Sequence, residues 1–203
     1  MVIAIVLAIF LIAVIIHEYA HGWVAYRLGD PTAKYAGRLT LNPLAHIDPM
    51  GTVLFPLMLV VMRSPIIFGW AKPVPINFSL LRRPKQDMLW VSLAGICANI
   101  ILAIFFSALL RSRLFLYNSY GWLFLNYGIL INLVLAVFNA IPIPPLDGSK
   151  VLMSVLPREL AYSYMRLERF GFLILIAFLW IGLLDIVIWP IVANLARILG
   201  ASL

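Results

Sequence analysis

Two histidines four residues apart, with a glutamate directly after the first, close a long apolar run: His17-Glu18-Tyr19-Ala20-His21. On a helix, positions i and i+4 share a face with Cβ atoms roughly 5–6 Å apart, so both imidazoles can converge on one metal ion. Glu18 is offset by one residue, near enough to reach water at that ion without ligating it. The chain has only 3 histidines, and two of them fall in this pattern. Ionisable groups in an apolar helix are costly and tend to be functional. The duller alternative is a pair of interfacial histidines bonded to backbone or lipid headgroups.

A catalytic zinc site needs a third protein ligand and an open coordination position. Aside from Glu18, the acidic residues are few. Asp30, Asp48 and Asp87 lie in connectors, and Glu159 and Glu168 fall in a basic stretch where pairing with arginine is expected. Asp185 stands in a late apolar run, as a buried polar contact or a helix-end residue. Asp147 remains, within Asn139-Ala-Ile-Pro-Ile-Pro-Pro-Leu-Asp-Gly148. It is either the third ligand or the N-cap of a helix over 148–156.

These residues must be positioned by membrane-spanning elements. Of the 203 residues, 64% are hydrophobic and 11% charged, and the mean hydropathy is +1.04. A soluble domain of this size has too little interior for so much apolar side chain. Disorder, a collagen-like fibre and a disulfide scaffold are excluded, the last because Cys97 is the single cysteine. A net charge of +7 would suggest nucleic acid in a soluble chain. Here the basic residues lie between apolar stretches, so no nucleic-acid partner is expected. The run Met1–Ile16 lacks the basic start and small-residue cleavage site of a signal peptide, and is expected to be retained.

Val2 to Tyr26, Met88–Leu110, Gly121–Ala140 and Phe170–Ile188 are long enough to cross a bilayer. Gly51–Met62 is too short alone. If it crossed, the fifteen Lys and Arg residues would divide six and nine between the two sides; if 51–70 dips in and returns, they divide twelve and three. Orientation follows the sharper asymmetry, which puts the amino terminus outside and loops 22–87 and 141–169 in the cytoplasm. The same arrangement brings His21 and Asp147 to one face, whereas a full crossing would separate them. The expected fold is an all-α polytopic membrane protein, one domain over residues 1–203. It is a bundle of about four to six transmembrane helices with a re-entrant or short extended element between the first and second full spans. Residues 34–41 and 71–78 have weak strand character, and proline at 73 and 75 keeps the latter out of helix.

His17-Glu18-x-x-His21 together with Asn139-x-x-Pro142-x-x-x-Leu146-Asp147-Gly148 resembles the paired motifs of the site-2 protease family of intramembrane zinc metalloproteases. Between them, Leu93-Ala-Gly-Ile-Cys-Ala-Asn99 is similar to the family's A-G-P-x-x-N helix, with Ile96 where proline is usual. Leu41–Gly51 and Phe68–Asn77 resemble the compact members without a PDZ domain. The resemblance covers most of the chain, and two spaced motifs in the right order are far more specific than either alone.

That resemblance implies one zinc ion held by His17, His21 and Asp147, with Glu18 as general base and then acid. Asn139 is the first candidate donor to the oxyanion, ahead of Asn99 and Asn132. For those two, an interhelical hydrogen bond competes with a substrate role. His46 is either near the metal or a connector histidine bonded to the Asp48 turn. The implied partners are the lipid bilayer and the transmembrane helix of a substrate protein, cut near the cytoplasmic side of the cell membrane. An unwound substrate segment would pair with 71–78, flanked by Trp70 and Lys72. A metal transporter or a non-proteolytic metal-binding relative are the alternatives. No internal repeat supports the first, and Glu18 has no use in the second.

Overall fold

The computed structural model describes residues 1–54, 57–58, 61–62, 72–182 and 184–202. Helix α1 (Val2–Arg27) is followed by a one-turn helix, α2 (Thr32–Tyr35). After the irregular stretch 72–77 come α3 (Pro84–Arg111), α4 (Tyr120–Asn139), α5 (Asp147–Val155), α6 (Arg158–Met165), α7 (Gly171–Trp180) and α8 (Trp189–Leu199). The chain is an all-α membrane protein, and no strand occurs among the described residues.

Among the described residues three helices, α1, α3 and α4, are long and apolar enough to cross a bilayer. At 1.5 Å per residue the shortest, the 20-residue α4, spans about 30 Å, the thickness of the hydrocarbon layer. Their ends follow local rules. Pro84 opens α3, where its missing N–H is no loss, and Asp87 reaches back to accept the Arg83 amide at 2.8 Å. Ser119 caps α4 by accepting the Trp122 amide.

The fourth apolar run is not one helix. α7 has 10 residues and stops before Gly182, whose φ of +80° is left-handed and ends a right-handed helix. The chain resumes in a π-helical turn, Leu184–Ile188, and then α8. α8 packs on α4, where Ile188, Val192 and Ala196 join Leu125, Ile129 and Leu133 of α4 and Ala103 and Phe106 of α3 in the main apolar core. α3 is central and packs against α1, α4 and α5.

The long connector begins and ends at the same end of the bundle. The Arg82 amide donates to the Leu28 carbonyl at 3.0 Å, just beyond α1 and just before α3. Whatever path lies between, residues 28–82 make no net crossing, as the charge distribution suggested. The proposed re-entrant stretch itself, 51–70, and Trp70 lie largely outside the described residues. Within the connector, no strand forms at 34–41 or over 72–78, the described part of the second expected strand. The first is a helical turn and bends. In the second Pro73 and Pro75 have no N–H to offer a ladder, and the bonded amides go to separate acceptors. The expected arginine–glutamate pairs near α6 are also absent among the described residues. Arg166 lies over the Tyr162 ring and Arg169 over Phe170, so these guanidinium groups find aromatic faces instead.

Candidate metal centre

His17 and His21 stand on the last turns of α1, both buried against α3. α5 begins at Asp147, and no side chain caps it. The N-cap reading of Asp147 therefore does not hold, because Leu146 takes that position and the carboxylate turns inward. Its Oδ2 lies 3.1 Å from His17 Nε2 and 3.0 Å from His21 Nε2. The two Nε2 atoms are 3.0 Å apart. Lys150, one turn along α5, places Nζ 3.7 Å from the other carboxylate oxygen. Residues separated by more than 120 positions in sequence thus converge at the end of the bundle where the connector also closes.

The second nitrogen of each ring is occupied. His17 Nδ1 donates to Asn99 Oδ1 and His21 Nδ1 donates to the Val91 carbonyl, both at 2.6 Å. A neutral imidazole carries one proton, so both Nε2 atoms present lone pairs. Two lone pairs and a carboxylate oxygen within 3.1 Å of one another repel unless a cation lies between them. That donor set, two imidazole nitrogens and one carboxylate oxygen, is one that zinc accepts, and an open position remains on the cavity side. The residues fit the metal.

Gly95 of α3 makes the convergence possible. A Cβ there would fall 2.3 Å from His21 Nε2 and 2.5 Å from His17 Cε1, so the rings lie against bare backbone.

The open side is a cavity of about 160 Å³. Glu18, Asn139 and Lys150 line it together with Pro73 and Val74 of the connector. The Val74 amide donates to Glu18 Oε2 at 2.8 Å, while the Val74 side chain packs on Gly22. Residues 72–77 form a strap across the mouth. Its start is held where the Lys72 amide donates to the His46 carbonyl, and its end where the Asn77 amide donates to Asp30 Oδ2 at 2.6 Å.

Asn139 is half-buried in the cavity wall, and its amide donates to the Leu135 carbonyl at 3.0 Å. Asn99 and Asn132 are fully buried behind His17 and bonded to each other, which resolves their open reading in favour of interhelical hydrogen bonds. His46 is buried away from the three ligand candidates; its Nε2 donates to the Thr40 carbonyl at 2.9 Å. The Asp48 turn closes on the amides of Met50 and Gly51 instead, and those bonds hold the Asp48 carboxyl below its usual range. Asp185 is exposed in the turn before α8 and does not join His17, His21 and Asp147.

Sequence reasoning missed Asp30. It is fully buried and accepts from the Thr32 amide, the Thr32 hydroxyl and the Asn77 amide. Nothing in an isolated aspartate after a glycine marks it as the anchor of a strap 47 residues away. Asp30→Ala leaves buried donors without acceptors, at about 1–3 kcal/mol each. The expected result is a thermal midpoint in detergent lowered by several degrees, with zinc stoichiometry unchanged. A midpoint equal to that of the parent protein would remove the anchor role.

The comparisons with known proteins give a family and its relatives. The family model for "Peptidase family M50" matches residues 116–182. "Putative zinc metalloprotease YwhC" of Bacillus subtilis is 37% identical over 185 residues, covering 86% of this chain and 79% of that protein. "Putative zinc metalloprotease Rip2" of Mycolicibacterium smegmatis is 29% identical over 174 residues, covering 86% of this chain and 66% of its own length. "Zinc metalloprotease MJ0392" of Methanocaldococcus jannaschii is 26% identical over 203 residues, 98% of this chain but 49% of that protein. No solved structure matches the chain.

Proposed function

The chain belongs to peptidase family M50, the site-2 protease family of zinc metalloproteases, and from that membership we propose that it hydrolyses peptide bonds in the transmembrane segments of other membrane proteins and releases fragments toward the cytoplasm. His17, His21 and Asp147 hold one zinc ion in this reading. The observation that carries it is the meeting of their three candidate ligand atoms within 3.1 Å, beside a carboxylate that is not one of them.

Zinc, when bound there, supplies the Lewis acidity that polarises a carbonyl and lowers the pKa of water toward about 7. Glu18 takes the proton from the attacking water and returns it to the leaving amide nitrogen, so the C–N bond breaks to a carboxylic acid and an amine. Val74 fixes the Glu18 carboxylate at the cavity wall for that task. Asn139 stands in the same wall, and its second N–H is the donor assigned to the oxyanion.

A substrate helix must unwind before its carbonyl can be attacked. The strap can receive the unwound segment, but only in one way. The amides of Lys72, Val74 and Asn77 are already bonded and the two prolines have none. A substrate strand would meet carbonyl oxygens and the Ile76 amide. The cytoplasmic orientation is supported by charge, since the stretches 22–87 and 141–169, which follow His21 and contain Asp147 in sequence, hold twelve of the fifteen basic residues.

The test uses the purified chain in detergent with a panel of single-span peptides. About one equivalent of zinc, cleavage lost on chelation and restored by zinc, and fragment masses that place the cut inside the apolar span are expected. Intact peptides across the panel with zinc bound would overturn the proteolytic reading.

A further inference from the structure

His17 and His21 are oriented by different means. His21 is fixed in one step, because the Val91 carbonyl can only accept and so demands a proton on Nδ1. His17 meets a side-chain amide, and an amide can turn over to present either oxygen or nitrogen. Its orientation must therefore come from further away.

The source is a backbone carbonyl on α4. Asn132 Nδ2 donates to the Gly128 carbonyl at 2.8 Å. That acceptor forces the NH₂ of Asn132 toward it and leaves Asn132 Oδ1 facing Asn99. Asn99 must then present its own NH₂, and Nδ2 donates to Asn132 Oδ1 at 2.9 Å and to the Ala13 carbonyl at 3.4 Å. Asn99 Oδ1 is thereby turned to His17 Nδ1, 2.6 Å away. Each link permits one direction only, since a reversed amide would set oxygen against oxygen or N–H against N–H. Both asparagines are 0% exposed, so water cannot repair a reversed link.

We propose that Asn132, which touches neither the metal site nor the cavity, is a positioning residue: through Asn99 it places the proton of His17 on Nδ1 and keeps Nε2 free to ligate zinc. The inference rests on the reading of His17 as a zinc ligand. It also threads α1, α3 and α4 with one directed chain of hydrogen bonds. Partners of this kind behind a ligating histidine are typically worth 10–100-fold in metal affinity.

The relay separates polarity from packing. Asn132→Leu keeps the branched shape, with bulkier methyl groups, and removes the acceptor, so Asn99 can turn over. Asn132→Asp keeps an acceptor toward Asn99 whether ionised or protonated, and in the protonated form also donates to Gly128. Two quantities are read in detergent: the zinc Kd by chelator competition, and the imidazole ¹⁵N shifts of His17 in metal-free protein, assigned by loss of the signal in His17→Ala. The parent protein is expected to show the Nδ1–H tautomer at His17. Asn132→Leu is expected to show a mixture of tautomers and a Kd raised about 10–100-fold. Asn132→Asp should restore the parent tautomer and bring the Kd to within a few-fold.

An Nε2–H tautomer in the parent protein overturns the relay, and this measurement stands even if Asn132→Leu does not fold. A Kd raised equally by Leu and Asp overturns it too, because packing would then be the cause. If His17→Ala leaves the zinc Kd unchanged, the ligand assignment fails instead, and the metal-free tautomers still decide the relay.

Discussion

Glu18→Gln is expected to keep zinc at the parent stoichiometry while slowing cleavage of a single-span peptide by about 10²–10⁴-fold, the usual contribution of a general acid–base. The substitution is clean because of what Glu18 touches. The Val74 amide donates to Oε2 at 2.8 Å, and a glutamine side-chain oxygen accepts the same bond. The strap stays down, the cavity keeps its shape, and His17, His21 and Asp147 are untouched. What disappears is the ability to take a proton. Glu18→Ala is a poorer test, since it also frees the strap and opens the wall. Zinc by atomic absorption and fragment yield by mass spectrometry read the two halves separately. Equal turnover by the glutamine protein would remove Glu18 from the chemistry.

That prediction draws on residues legible in the sequence, and the reason is chemical. A metal site needs rare residue types at fixed spacing, so His17, Glu18 and His21 declare themselves on one helix face. Asp147 declared itself only partly, because an aspartate before glycine serves equally well as a cap. The cap reading was excluded by which way the carboxylate turns, a tertiary fact. The three long helices were equally plain, since about 20 apolar residues leave the chain no other economical fold in a bilayer. The break near Gly182 was not. Hydropathy averages over a window and is blind to one residue at φ +80°. The strap was half legible. Prolines 73 and 75 excluded helix, but which carboxylates would hold the neighbouring amides depends on Glu18 and Asp30, 56 and 47 residues away from their partners. A polar residue that satisfies a distant amide has no spacing rule to betray it.

Gly95 belongs to the same class of hidden determinant and carries the second large effect. Glycine in the middle of a long helix is unfavourable by roughly 1 kcal/mol against alanine, so Gly95→Ala would ordinarily stabilise α3. Here the new methyl carbon would stand 2.3 Å from His21 Nε2, 2.5 Å from His17 Cε1 and 2.7 Å from His17 Nδ1. The first is the atom assigned to the metal, and the other two are the edge of the His17 ring that turns toward Asn99. The rings cannot simply slide, because His21 Nδ1 is tied to the Val91 carbonyl on α3 itself and His17 Nδ1 to Asn99 on the same helix. Separation by about an ångström is needed to relieve the contact, against a tolerance of about 0.5 Å for a working site. Zinc affinity is therefore expected to fall at least 100-fold in Gly95→Ala, with activity lost in proportion, while the helical circular dichroism stays at the parent level. Chelator competition reads the first and the far-ultraviolet spectrum the second. Parent-level zinc affinity in Gly95→Ala would mean that α1 and α3 yield at this crossing, and that close backbone approach does not set the spacing of the two imidazoles.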